Sequence, residues 1–187
     1  MSSYKEILIQ KYEAFSLEED RDRQKQLQVE IWDLLAHEPQ LDAEDHHIWG
    51  LSYYMSEDEK NHRTAHALQH FLIALELDPA NFMACLYAAH CYHDQGKLSE
   101  ALRYYEQVDQ AELKAFQLWR YVKLIEQIGF CHYQLGEVKR GRELFAEVLT
   151  WYQKSASEGL AVPVEMMQCL PESDPIVEEM KKIEDYL

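Results

Sequence analysis

The stretch "NHRTAHALQH", Asn61 to His70, sets His62, His66 and His70 at successive intervals of four. Four residues are about one helical turn, so the three imidazoles would form a stripe along one flank of a helix. Neutral imidazoles a turn apart can chelate zinc, nickel or copper. A catalytic or structural zinc also takes a carboxylate or thiolate, or a third histidine that converges in space, and a straight stripe does not converge. His66 and His70 each stand one residue before an apolar position, Ala67 and Phe71. The ladder is therefore expected to be a solvated helix flank on the rim of a core face, with no metal. His90 and His93 share a face in the same way, with Cys91 between them as a small packing residue; His46 and His47 add no ligand spacing.

Motifs for other chemistry are missing from the sequence. There is no GxSxG elbow, GxxxxGK phosphate loop, HExxH or GxGxxG. Adjacent carboxylates such as Glu178 and Glu179, or Glu18, Glu19 and Asp20, sit in charged helical runs where solvation is their expected role. No catalytic residue and no cofactor are expected. Cys85, Cys91, Cys131 and Cys169 form no CxxC pair, and a chain of 187 residues can bury a core without disulfide staples. Reduced, mostly buried thiols are the expectation.

The elements that must carry these side chains are helices. Glycine and proline are scarce, at six and five, whereas Leu, Ala, Glu, Gln and Lys fill most of the length. Eighteen basic against thirty-four acidic residues give a net charge of -16, which would repel nucleic-acid phosphates and anionic lipids. A protein or peptide partner of basic character fits that charge better than an acidic one. The opening "MSSYKEILIQKYEAFS" mixes Lys and Glu into its apolar residues, unlike a secretion signal, and no run reaches membrane-spanning length. A cytoplasmic location without membrane contact is expected.

The middle of the chain repeats. Ala67, Phe71 and Ala74 return after 34 residues as Ala101, Tyr105 and Val108, and after 40 more as Gly141, Phe145 and Val148. Gly50, Ala89 and Gly129 recur 39 and 40 apart, each followed three or four residues later by an aromatic or histidine. A small residue on a first helix lets a second approach closely, and the aromatic fills the space beside the contact. Gly96 and Gly136 suit the left-handed position that ends a helix. Each unit thus reads as two helices around a turn, and such hairpins bury their apolar faces by stacking.

With these residues in phase, the chain resembles the tetratricopeptide repeat family. The resemblance is clearest over 81–108, good over 123–149 and partial over 48–79, together rather more than half the chain. It implies an all-α fold, a right-handed stack of antiparallel helix pairs. The expected organisation is one domain: N-terminal helices or an eroded repeat over 1–40, repeats over 44–80, 81–110 and 111–157, and a loop with a capping helix over 158–187. The third repeat would have a lengthened first helix, near "DQAELKAFQLWRYVKL", and the first has about five extra residues in its turn, "SEDEKNHRT". Within the N-terminal part, helices are expected over 3–15 and 19–37, the second burying Leu27, Ile31 and Leu34. "GLAVPVEMMQCLPES" reads as loop, and Ile176, Met180, Ile183 and Leu187 as the apolar stripe of the capping helix.

In stacks of this family the first helices line a concave groove. The resemblance therefore nominates His47, Leu51 and Tyr54 from the first repeat, Tyr87, His90 and His93 from the second, and Lys123, Gln127, Phe130 and Tyr133 from the third. Ordinary helix packing is the competing role, above all for Leu51 and Phe130. The expected function is non-enzymatic binding of a protein or peptide, as an adaptor or chaperone-like scaffold. The alternative is an acidic inhibitor of the immunity-protein type that neutralises a basic toxin or nuclease.

Overall fold

The computed structural model describes residues 3–56, 60–155 and 159–183. Among them every regular element is an α-helix: α1 (Tyr4–Leu17), α2 (Arg21–His37), α3 (Ala43–Tyr54), α4 (Lys60–Leu77), α5 (Phe82–Asp94), α6 (Leu98–Tyr105), α7 (Gln110–Phe116), α8 (Leu118–Gln134), α9 (Val138–Ser155), α10 (Val164–Cys169) and α11 (Pro175–Met180). None of these is long and apolar enough to cross a membrane. The chain divides into two compact units, residues 1–96 and 97–187.

The first unit holds α1 to α5, each packed on the next except that α5 also touches α3. Side-chain caps set most of the helix starts. Ser3 and Asp42 form capping boxes with Glu6 and Asp45, and the Asp20 and Asn81 side chains accept from backbone N–H groups three residues on. Asp45 is buried at 1% exposure because Lys5 reaches across from α1, its Nζ 2.7 Å from both Asp42 and Asp45. Leu8, Phe15, Leu27, Ile31, Leu35 and Ile48 form one core, edged by Trp32 and Trp49. The α2 stripe thus runs through Leu35, not Leu34, which is only half-buried. Of the expected insertion, residues 57–59 lie outside the described residues and 60–64 are helical, forming the start of α4.

Close approach is visible at the glycine the repeat singles out. A Cβ placed on Gly50 would stand 2.6 Å from the Phe71 ring, so α3 and α4 meet at a contact only glycine permits. Ala67, Phe71 and Ala74 are all fully buried, and burying a phenylalanine side chain contributes roughly 2–3 kcal/mol. Gly96, after α5, takes φ +73°, the left-handed cap expected of it.

In the second unit α8 is the hub, touched by α6, α7, α9 and α10, with α11 on α9. Gly129 meets Phe145 as Gly50 meets Phe71: an added Cβ would lie 2.9 Å from the ring, and one on Gly141 would lie 2.8 Å from the Gly129 carbonyl oxygen. Ala101, Tyr105, Val108, Phe145 and Val148 are buried, although α6 stops at Tyr105 and Val108 reaches the core from beyond it.

Three expectations are corrected here. The first helix of the third repeat is two helices, because Gln117 is extended (φ -155°, ψ 114°); its N–H still donates to Leu113 while its carbonyl receives Arg120 and Tyr121. The segment 159–173 is not all loop, since Pro163 and Pro171 bracket the short helix α10 rather than forbid it. The capping helix α11 starts at Pro175 with Asp174 as its cap, but ends at Met180 and buries Val177 and Met180 against α9. Leu187 lies outside the described residues.

Candidate binding face

Phe71 does more than fill space. In the first unit its buried ring backs His47 from α3, with centroids 5.9 Å apart, and Tyr87 from α5, stacked at 5.5 Å. Tyr87 in turn meets Tyr54 edge-on at 5.4 Å and His90 at 5.7 Å; His47–Tyr87 and Tyr54–His90 centroids are each 6.4 Å apart. Four residues nominated from the sequence, His47, Tyr54, Tyr87 and His90, therefore form one continuous patch of half-buried rings on α3 and α5. Their spacing is the cause: Tyr54 stands seven after His47 on α3, and His90 three after Tyr87 on α5, so each pair shares a helix face.

Polar groups frame the patch. The Tyr54 hydroxyl donates to Asp94 at 3.1 Å, and burial, then the Asp94 charge, pushes its pKa up. Arg63 lies 5.7 Å from the Tyr54 ring centroid and donates to its carbonyl at 2.7 Å. Burial holds the His47 imidazole down to about 4, so it is neutral at pH 7. Its Nε2 is buried and has no hydrogen-bond partner among the described residues. Asp94 and Arg63 were not nominated; Asp94 stands four after His90, a spacing that signals it, whereas Arg63 comes from a second helix, which no local spacing reveals.

The remaining nominated residues divide. His93 is half-buried on α5, and Leu51 is core at 6% exposure, which removes it from the face. In the second unit Phe130 is half-buried and Tyr133 packs on Phe145 at 6.0 Å. Gln127 is buried at 3%, with its Nε2 donating to Glu165 at 2.7 Å and its Oε1 accepting from Tyr105. Lys123 pairs with both Glu126 and Glu165. Both side chains are thus engaged by Glu165 of α10, which the reading of 159–173 as loop did not foresee.

The histidine ladder is solvated only at one end: His62 is exposed, whereas His66 and His70 are half-buried. Along α3, His46, Trp49 and Tyr53 point away from the ring patch and slot between the rungs of α4: His66 stacks on Tyr53 at 5.0 Å, and His70 on Trp49 at 4.4 Å and His46 at 5.4 Å. Trp32 from α2 closes the column, stacked on Tyr53 at 4.4 Å. His46 and His70 meet Nδ1 to Nδ1 at 3.1 Å, and His62 and His66 Nε2 to Nε2 at 3.2 Å; each pair needs one donor and one acceptor tautomer. Burial, then the neighbouring His46 and His66, holds His70 down to about 4. Among the described residues no three His, Cys, Asp or Glu side chains gather as a metal would require.

Cys85, Cys91 and Cys131 are buried thiols that form no disulfide, and burial raises their pKa values, to about 11 for Cys85 and about 12 for Cys131. Such thiols are unreactive packing groups. No known family profile matches this chain, and no curated protein matches it.

Proposed function

We propose that this chain is a tetratricopeptide-like helical repeat protein that binds a protein or peptide segment, without chemistry, on the ring patch of α3 and α5. The observation that carries the reading is the continuity of His47, Tyr54, Tyr87 and His90, each still partly open to solvent. Rings of this kind stack on apolar side chains at little entropic cost and turn polar tips toward a backbone. The repeat reading draws support from two helix pairs, α3–α4 and α8–α9, that share the glycine-on-aromatic contact in the recurring positions.

Selection of a random peptide library on the immobilised chain tests this. The expected outcome is convergence on sequences with spaced apolar or aromatic residues, whose affinity changes little when salt is raised from about 50 to 500 mM. No convergence, or peptides that are merely basic and are lost at high salt, would overturn it and favour the acidic-inhibitor alternative.

A further inference from the structure

The α8 face that carries Lys123 and Gln127 is occupied by the chain itself. Glu165 of α10 accepts from both of these side chains, and the neighbouring Met166 donates its backbone N–H to Glu126 at 3.0 Å while its side chain is fully buried. The element that presents these groups is a six-residue helix between two prolines, far below the length at which a helix is stable alone. Its shape is imposed by its seat. Most of its directional bonds, moreover, are polar ones that another peptide could make in its place.

We propose that this face of α8 is a peptide-docking surface in its own right, fitting a partner segment in which an acidic residue is followed directly by methionine within one helical turn, and that Val164–Cys169 holds the seat in cis until such a segment displaces it. The chemistry of the seat sets the requirements. Lys123 and the Gln127 amide need a carboxylate between them, and Glu126, buried at 1% exposure, needs a backbone N–H, so proline cannot follow the acid. A tethered occupant competes at an effective concentration of about millimolar, so the unaltered protein accepts a partner in trans only weakly. Nothing in this depends on the ring patch of the first unit.

A fluorescent peptide with the sequence of residues 159–172, kept reduced, tests the proposal against the full-length chain and its Glu165→Lys variant, in which the tethered acid is replaced by a cation facing an intact Lys123. The variant is expected to bind the peptide about ten-fold more tightly than the unaltered chain, or better, and to lose that binding when the peptide carries the same Glu165→Lys change. Equal affinity for both proteins, or none for a variant whose far-UV circular dichroism is unchanged, would overturn it. Hydrogen exchange on the unaltered chain provides a second reading if the variant does not fold. Amides 166–170 should open far more often than those of α8, and exchange of both only through global unfolding would equally overturn it.

Discussion

A methyl group at Gly50 would stand 2.6 Å from the Phe71 ring, and that ring supports both His47 and Tyr87. Gly50→Ala should therefore cost roughly 1–3 kcal/mol in urea unfolding and disturb the ring patch, because α3 and α4 must part to admit it. At Gly96 nothing lies within 4 Å of an added Cβ, and the strain comes only from φ +73°, so Gly96→Ala should cost about 1 kcal/mol and leave the patch intact. The buried histidines make a pH prediction. His47 and His70 have folded pKa values of about 4, below the ordinary 6.5, so the fold prefers them neutral. Their contribution is complete above about pH 6.5 and fades as pH falls toward 4. His70→Phe keeps a ring against Trp49 without a proton to gain. Its stability should fall less than that of the unaltered chain between pH 6.5 and 4.5, by about 1 kcal/mol in paired urea titrations. The interval of four found the ladder, but the rings that fill it, Trp49 and Tyr53, lie on another helix, where no local spacing can show them.

At the scale of elements, the long helices could be read in advance because caps, apolar period and left-handed glycines agree along them. Asp20 and Asn81 begin helices as their types suggest, and Gly96 and Gly136 end them with positive φ. Two features escaped for physical reasons. Gln117 breaks a continuous helical pattern through its backbone angles alone, with neither proline nor glycine to mark it. Helix α10 is too short to show a period, and what orders it is the polar seat on α8. That seat holds one ammonium between two carboxylates. Burial raises Glu126 to about 7 despite Lys123, whereas for Glu165 the hydrogen bond and charge of Lys123 overcome burial and lower it. A raised carboxyl pKa means stability that is fully present below about 4.5 and is lost as pH climbs to 7 and beyond. Glu126→Gln should thus gain on the unaltered chain in melting temperature between pH 5 and 8, and a constant difference across that range would contradict this assignment.

For the whole molecule, the repeats carried the most information: residues spaced 34 to 40 apart proved to be buried faces and glycine contacts in both units. Of the residues nominated by the resemblance, His47, Tyr54, Tyr87 and His90 come together as one patch of rings on α3 and α5. Lys123 and Gln127 instead bond to Glu165 of α10, a segment read as loop from its prolines. The net charge of -16 favours cationic partners at long range, whereas the proposed binding on the ring patch would rest on apolar contact, and salt separates the two. The most direct measurement is the affinity of a library-selected peptide for the unaltered chain and for Tyr87→Ala with His90→Ala, under conditions where circular dichroism shows equal helix content. The account predicts a loss of about 100-fold or more in the double variant, from two half-buried rings at the centre of the patch. Undiminished affinity would place the binding site elsewhere and contradict it.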